Sequence, residues 1–248
     1  MAGFVRRALV GGGLRGLARA TPWMESELVG VGQVIPKGGV CLDIGAAAGF
    51  YTAEMSRLVG PGGVVHSFEP LRFAHATASR ILGLRSGTNV VRHSMALGDS
   101  GDEVVMSVPL RRGVPVTGRS FVTRNASGLG SNAEFDEHLR VVVDGDTLDG
   151  FCARAGLTRI DFVKIDVEGA ELHVLRGGEA TIERLRPVVM VEVEDRHLER
   201  FGTHSSQIAE WFASRDYRMS VWDNGLWHDA DVVTLEFRNY LFSPRTIT

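Results

Sequence analysis

Asp43, Gly45 and Gly49, within the stretch Val40–Thr52 (VCLDIGAAAGFYT), set an acid at the end of an apolar run and two glycines four residues apart. The apolar run reads as a strand covered on both faces. The glycines let the chain turn tightly into a helix and let a ligand approach the backbone. The spacing selects the ligand. A dinucleotide fingerprint would read G-x-G-x-x-G, and a P-loop would close on Lys followed by Ser or Thr. Neither is present, and an acid here repels phosphates. It suits a cation, and S-adenosylmethionine carries a sulfonium and an ammonium but no phosphate. The next apolar run, Gly63 to Phe68, ends in Glu69 and Pro70. That is about twenty residues after the first turn, where a doubly wound fold sets a carboxylate to receive ribose hydroxyls.

Two further acids end apolar runs: Asp166 closes Ile160 to Asp166, and Glu192 closes the run that begins at Val188. Ligands gather at the carboxyl ends of strands in an open α/β sheet, so Asp43, Glu69, Ser94, Asp166 and Glu192 are expected on one rim. Asp166 can serve the ammonium of the cofactor, a metal or the acceptor hydroxyl. Asp166 and Glu192 together make a site for a hard cation such as Mg²⁺. For proton transfer, the choice of a base stands open between His138, His197 and a carboxylate such as Glu168.

The elements that must position these residues alternate between strand and helix, the pattern of a parallel sheet covered on both faces. Strands are expected at Val40 to Ile44, Val64 to Phe68, Asn89 to His93, Arg140 to Val143, Ile160 to Asp166 and Val188 to Val193. Helices are expected at Phe50 to Val59, Arg72 to Leu82, Leu148 to Ala155 behind a Thr147 or Asp146 cap, Ala170 to Leu185 and Ser205 to Ser214. Strands near Arg218 to Trp222 and Leu235 to Phe242 close the chain, with a hairpin turn at Asp223–Gly225. Ser94 to Asp102 reads as a polar turn, Glu103 to Leu110 as an antiparallel strand, and Arg111 to Leu139 as an irregular, substrate-facing segment. Trp23, with Glu25 and Glu27, is a candidate lid over the cofactor or acceptor.

The segment IDFVKIDVEGAELHVLRGG, Ile160 to Gly178, resembles the signature of FkbM-type S-adenosylmethionine-dependent methyltransferases. DIGAAAGFYT at Asp43 to Thr52, FEP at Phe68 to Pro70, ALGD at Ala96 to Asp99, DTLD at Asp146 to Asp149 and NYLF at Asn239 to Phe242 match in order. The resemblance runs from about Gly38 to the C-terminus. It implies an α/β, Rossmann-like class I methyltransferase fold: a mostly parallel seven-stranded sheet with an antiparallel C-terminal strand and helices on both faces. It also implies methyl transfer to a hydroxyl, often on a sugar or a secondary metabolite. By position, Asp43, Gly45 and Gly49 line the methionine end of the cofactor, Glu69 holds the ribose, and Ser94, Met95 and Ala96 flank the adenine. Ala46, Tyr51 and Thr52 add contacts near the turn. Related sugar O-methyltransferases place acids at the strand ends of Asp166 and Glu192 around a metal.

Length and composition bound the rest. The 248 residues read as one domain: an N-terminal helical or lid segment over 1–37 and a core over 38–248, with a variable insert at about 103–140. A net charge of −3 gives no basic footprint for nucleic acid. Of 27 basic residues only Lys37 and Lys164 are lysine; this bias suits a GC-rich genome such as an actinobacterium. Cys41 and Cys152 read as small core residues, which suits a cytoplasmic protein. The expected partner is a small-molecule or oligosaccharide acceptor, with a homodimer compatible and no stable membrane insertion. A polyketide or other non-sugar acceptor fits the same motifs. A noncatalytic S-adenosylmethionine-binding scaffold is the alternative of another class.

Overall fold

The computed structural model describes residues 25–74, 89–234 and 236–245. Trp23, most of the expected helix Arg72 to Leu82, and Leu235 lie outside the described residues. In chain order the first strands are β1 (Val40–Ile44), β2 (Val64–Phe68), β3 (Val90–His93), β4 (Met95–Gly98), β5 (Val104–Arg111), β6 (Val114–Pro115), β7 (Phe121–Val122) and β8 (Glu137–Thr147). They are followed by β9 (Phe162–Ile165), β10 (Val188–Glu192), β11 (Tyr217–Asp223), β12 (Leu226–Asp229) and β13 (Asn239–Pro244).

The main sheet has the order β12-β11-β13-β10-β9-β1-β2-β3. β3, β2, β1, β9 and β10 are parallel throughout, and β13 runs antiparallel to both its neighbours, β10 and β11. This is the expected Rossmann-like α/β sheet with its reversed C-terminal strand. It has eight strands rather than seven, because the Asp223–Gly225 turn folds β12 back onto β11. β1 is the switch point: the chain winds outward through β2 and β3 on one side, then returns to β9 and β10 on the other.

Alternation along each strand builds both cores. Leu42, Ile44, Val163, Ile165, Val189 and Val191 point to one face, against helices Leu148–Arg154, Glu171–Gly177, Glu179–Leu185 and Ser205–Ala213. Cys41, Val65, Phe162 and Met190 point to the other, against helix Phe50–Val59 and the segment carrying Val31 and Ile35. Asp43, Lys164 and Glu192 belong to this second face by the same alternation, at its carboxyl edge.

The insert differs from expectation. Ser94 to Asp102 contains β4, which pairs in parallel with β8 in a second sheet of order β4-β8-β5-β6, with β7 on β5. β8 spans eleven residues, longer than Arg140 to Val143, since pairing with both β4 and β5 supplies partners along its length. The expected helix Ala170 to Leu185 is broken at Gly178. An added Cβ on Gly177 would overlap the Gly98 carbonyl, so the chain changes direction where it crosses the second sheet. Thr147 is the cap of helix Leu148–Arg154, its Oγ1 accepting from the Gly150 N–H at 3.0 Å. Cys41 and Cys152 are buried free thiols. Among the described residues no helix is long and apolar enough to cross a membrane.

Candidate functional site

Two adjoining cavities, of about 230 and about 250 Å³, open at the carboxyl ends of the central strands. Glu25, Gly45, Ala47 and Asp166 line both, making them two lobes of one cleft. Phe68, Glu69, Met95 and Ala96 line the first lobe, which the insert closes through Gly118 and Ser120. Asp43, Ala46, Tyr51 and Lys164 line the second.

The turn after β1 is shaped by its neighbours as much as by any ligand. Gly45 has φ 83°, and an added Cβ would overlap the carbonyl oxygen of Asp166. This glycine therefore lets the ends of β1 and β9 come together. The N–H groups of Gly45 and Ala46 both donate to the Phe68 carbonyl, at 3.1 and 2.9 Å. Glu69 pins the next residues: Oε2 accepts from the Ala47 N–H at 2.9 Å and Oε1 from the Leu71 N–H at 2.8 Å. Each oxygen keeps capacity to accept a further hydrogen bond. Burial pushes this carboxyl up to about 7. Gly49, at φ 77°, caps helix Phe50–Val59.

Asp43 sits in β1 opposite Ser67 of β2 and Lys164 of β9. Its Oδ2 accepts from Thr52 Oγ1, which lies 2.9 Å from Ser67 Oγ. Burial raises the Asp43 carboxyl to about 6, against the opposing pull of the Thr52 hydrogen bond and the Lys164 charge. Thr52 is thus a support for Asp43, buried away from both lobes.

Lys164 is the residue that motif reasoning passed over. It lies in the middle of the central strand, 1% exposed, with Nζ 3.2 Å from Asp166 Oδ2 and 5.2 Å from the Tyr51 ring centroid. Burial disfavours its charge, yet Asp166, Glu25 and Glu192 outweigh burial and hold the ammonium well above its ordinary range. Tyr51 donates its hydroxyl to Glu25 Oε2 at 2.6 Å, and that bond draws the N-terminal segment into the cleft wall. The segment is itself anchored by the β11–β12 hairpin: Trp227 Nε1 donates to the Gly30 carbonyl at 3.2 Å.

The loop after β9 carries Glu168 at φ 57°, an uncommon conformation for a non-glycine residue. Glu171 holds it there: Oε1 accepts from the Val167 and Gly169 N–H groups at 3.0 and 3.1 Å. Gly169, at φ 107°, passes so close to the His197 carbonyl that a Cβ would overlap it. Glu168 lines the first lobe, and its Oε2 has no hydrogen-bond partner among the described residues. Burial is the main cause raising its carboxyl to about 8, with Asp166 and Glu171 adding repulsion. Glu168 Oε2 is buried and points at His197, whose Nδ1 lies 3.4 Å away, and burial lowers that imidazole to about 4.

The cleft thus brings together Asp43, Gly45, Ala46, Tyr51, Glu69, Met95, Ala96, Asp166, Glu168 and Glu192. Five expected residues line neither lobe: Gly49, which caps a helix, Thr52, which supports Asp43, and three that stand further apart. His138 Nδ1 lies 3.0 Å from Ser107 Oγ in the second sheet and lines neither lobe, because β8 carries it along that sheet. His197 is buried behind Glu168 rather than facing the cleft. Ser94 links β3 to β4 without lining either lobe.

The donor set fits S-adenosylmethionine: the carboxylates of Glu25, Asp43 and Asp166 at one lobe, and Glu69 beside the apolar Phe68, Met95 and Leu97 at the other. It does not fit Mg²⁺. Carboxylate oxygens of Glu25, Asp166 and Glu192 come within 4.8 Å of one another, but Lys164 already lies against Asp166 with its charge felt by the other two. A second cluster, Glu192, Glu194 and His197, has Glu194 held by Arg196 and Arg238.

Comparison with known proteins agrees with this chemistry. A family model described as the methyltransferase FkbM domain matches residues 43–219. "Methyltransferase 1" of Beauveria bassiana is 28% identical over 148 residues, covering 57% of this chain and 59% of that protein. "2-O-methyltransferase NoeI" of Sinorhizobium fredii is 38% identical over 58 residues, 23% of this chain and 24% of its own length. The chain thus aligns with less than two thirds of either relative. The crystal structure of methyltransferase FkbM from Methylobacillus flagellatus superposes with a TM-score of 0.48 at 17% identity, covering 84% of this chain and 44% of that one.

Proposed function

The chain belongs to the FkbM methyltransferase domain family, whose members depend on S-adenosylmethionine, and from that premise we propose that it methylates a hydroxyl oxygen. The acceptor is a sugar, free or within a glycolipid, polysaccharide or glycosylated metabolite. One observation carries the reading: Glu168, a carboxyl that burial holds up to about 8, lines the same cleft as the carboxylates of Asp43 and Asp166. A cation-binding floor and a base on one wall are what O-methylation from a sulfonium donor requires. The relative named as a 2-O-methyltransferase supports oxygen as the accepting atom.

Bound in the cleft, S-adenosylmethionine supplies an activated methyl carbon on a sulfonium. Asp43 and Asp166 hold positive charge at the second lobe, and Glu69 offers its spare lone pairs to ribose hydroxyls. Met95, Ala96 and Leu97 would give the adenine of the cofactor an apolar seat. Glu168 accepts the proton of the acceptor hydroxyl, and Glu171 fixes its position by accepting from the backbone N–H groups on both sides, Val167 and Gly169. His197, held neutral by burial, backs the inner oxygen, Oε2, of that carboxylate. The Glu25 segment and the insert exclude water from opposite sides.

Calorimetry with S-adenosylmethionine, S-adenosylhomocysteine and NAD, followed by labelled methyl transfer to pooled sugars, glycolipids and polyketides, tests the proposal. Donor binding with label on a sugar hydroxyl is the expected result. Label on a non-sugar hydroxyl alone would correct the acceptor, and donor binding without transfer to any pool would favour a scaffold.

A further inference from the structure

Lys164 is a fully buried cation beneath the cleft, and its surroundings say what it replaces. Three carboxylates, Glu25, Asp166 and Glu192, converge closely enough to share a positive ion. They come from three elements: the N-terminal segment, the end of β9 and the end of β10. A fourth, Asp43, is the β1 register partner of Lys164. Carboxylates packed so closely repel one another unless a cation lies among them. The chain provides one covalently: Nζ lies 3.2 Å from Asp166 Oδ2 and above the Tyr51 ring.

We propose that Lys164 is a built-in counter-ion that takes the place of a divalent metal, so that cofactor binding by this chain is independent of metal. The residue type supports the assignment. Among the 27 basic residues only two are lysine, and the other, Lys37, is exposed. At the buried position the chain departs from its own preference for arginine. An ammonium is a compact point charge on a flexible stem, able to sit under several carboxylates at once, whereas a guanidinium is a planar fork suited to one. The aromatic face of Tyr51 supplies a further electrostatic seat. A Mg²⁺ ion, by contrast, demands near-ideal octahedral geometry and keeps several waters, and it would stand beside a fixed positive charge. Lys164 also has a positioning consequence. By pulling on Asp166 Oδ2 from below, it leaves the other oxygen of that carboxylate for a cation entering the cleft.

The consequence for cofactor binding rests on the function proposed above, but the charge arrangement does not, and the test separates the two. Thermal unfolding of the full chain is followed in chelator and in millimolar Mg²⁺, and S-adenosylmethionine binding is measured by calorimetry under both conditions. The wild type should show the same Tm and the same Kd in each. Lys164→Met should bind the cofactor about 10- to 100-fold more weakly, the scale of losing one charged hydrogen bond. It should also gain a Mg²⁺-dependent rise in Tm as the vacated carboxylates take up the ion. Lys164→Arg keeps the charge and should remain indifferent to Mg²⁺, a readout that survives if the methionine variant fails to fold. A wild-type Tm or Kd that depends on Mg²⁺ overturns the proposal, as does a Lys164→Met protein that binds cofactor normally in chelator. A wild type that binds no S-adenosylmethionine, while only Lys164→Met responds to Mg²⁺, refutes the cofactor reading and leaves the counter-ion assignment standing.

Discussion

Replacing Asp43 by Asn should stabilise the ligand-free protein and disable it at the same time. In the folded chain burial holds the Asp43 carboxyl protonated up to about pH 6, against an ordinary value of 3.8. The folded state therefore binds the proton more tightly than the unfolded chain, and it loses stability as the pH rises from about 4 through 6. With 1.36 kcal/mol per pKa unit, ionising Asp43 costs the folded state about 3 kcal/mol by pH 8. Asn carries no such cost, and its side-chain oxygen can still accept from Thr52 Oγ1. Wild type and Asp43→Asn should therefore unfold alike near pH 4 and diverge above it. For a chain of this size the variant should melt roughly 6–12 °C higher at pH 8. S-adenosylmethionine affinity should move the other way, since a unit charge about 4 Å from a cation contributes about 4 kcal/mol at an effective dielectric constant of about 20. The expected loss is therefore about 100-fold or more. Calorimetric unfolding across pH 4–8 and a binding titration at pH 8 check both halves. An Asp43→Asn protein that melts no higher than wild type at pH 8 and binds the cofactor within a few-fold of wild type would refute the reasoning.

Glu168→Gln should lower kcat by about 100-fold, the range for a general base, while leaving cofactor affinity near wild type. Because Glu168 holds its proton to about pH 8, wild-type kcat should rise with pH to a plateau above that value, and the rise should vanish in the variant. Gly45→Ala forces a Cβ onto the Asp166 carbonyl at φ 83°; unfolding in urea should show a loss of more than about 3 kcal/mol, with cofactor binding abolished. Gly30→Ala places a methyl 2.6 Å from Trp222. It should lift Glu25 from Tyr51 and weaken cofactor binding with little change in the Tm of the main sheet, measured by titration and calorimetry on the same sample.

The turn at Asp43–Gly49 and the strand-end acids were legible because each rests on local rules: an apolar run, a change of period, and a residue type at the boundary. Glu69 was legible for the same reason, one βα unit along. Lys164 was not read as functional because a lone charge inside Ile160 to Asp166 looks like a break in a hydrophobic pattern, yet that break was the signal. The base stayed open between His138, His197 and Glu168 since histidine chemistry favours the first two on pKa alone. β8 carries His138 onto the second sheet and Gly169 packs against the His197 backbone, which leaves Glu168 at the cleft. The second sheet itself was half-visible. β5 showed its alternation, but β4 is four residues long and partnered by a strand some fifty positions away, a pairing that no local pattern encodes.

Sequence by itself determined the sheet's central strands, the motifs at their ends and the family to which they belong, because periodicity and strand-end chemistry are properties of contiguous residues. Tertiary structure alone decided which charges meet. Glu25, Asp166 and Glu192 are far apart in the chain, and only the stacking of β1, β9 and β10 under the N-terminal segment sets them around one buried ammonium. Burial then moved the carboxyls of Asp43, Glu69 and Glu168 to about 6, 7 and 8. Desolvation depends on everything packed around a group, and no stretch of sequence carries that information by itself.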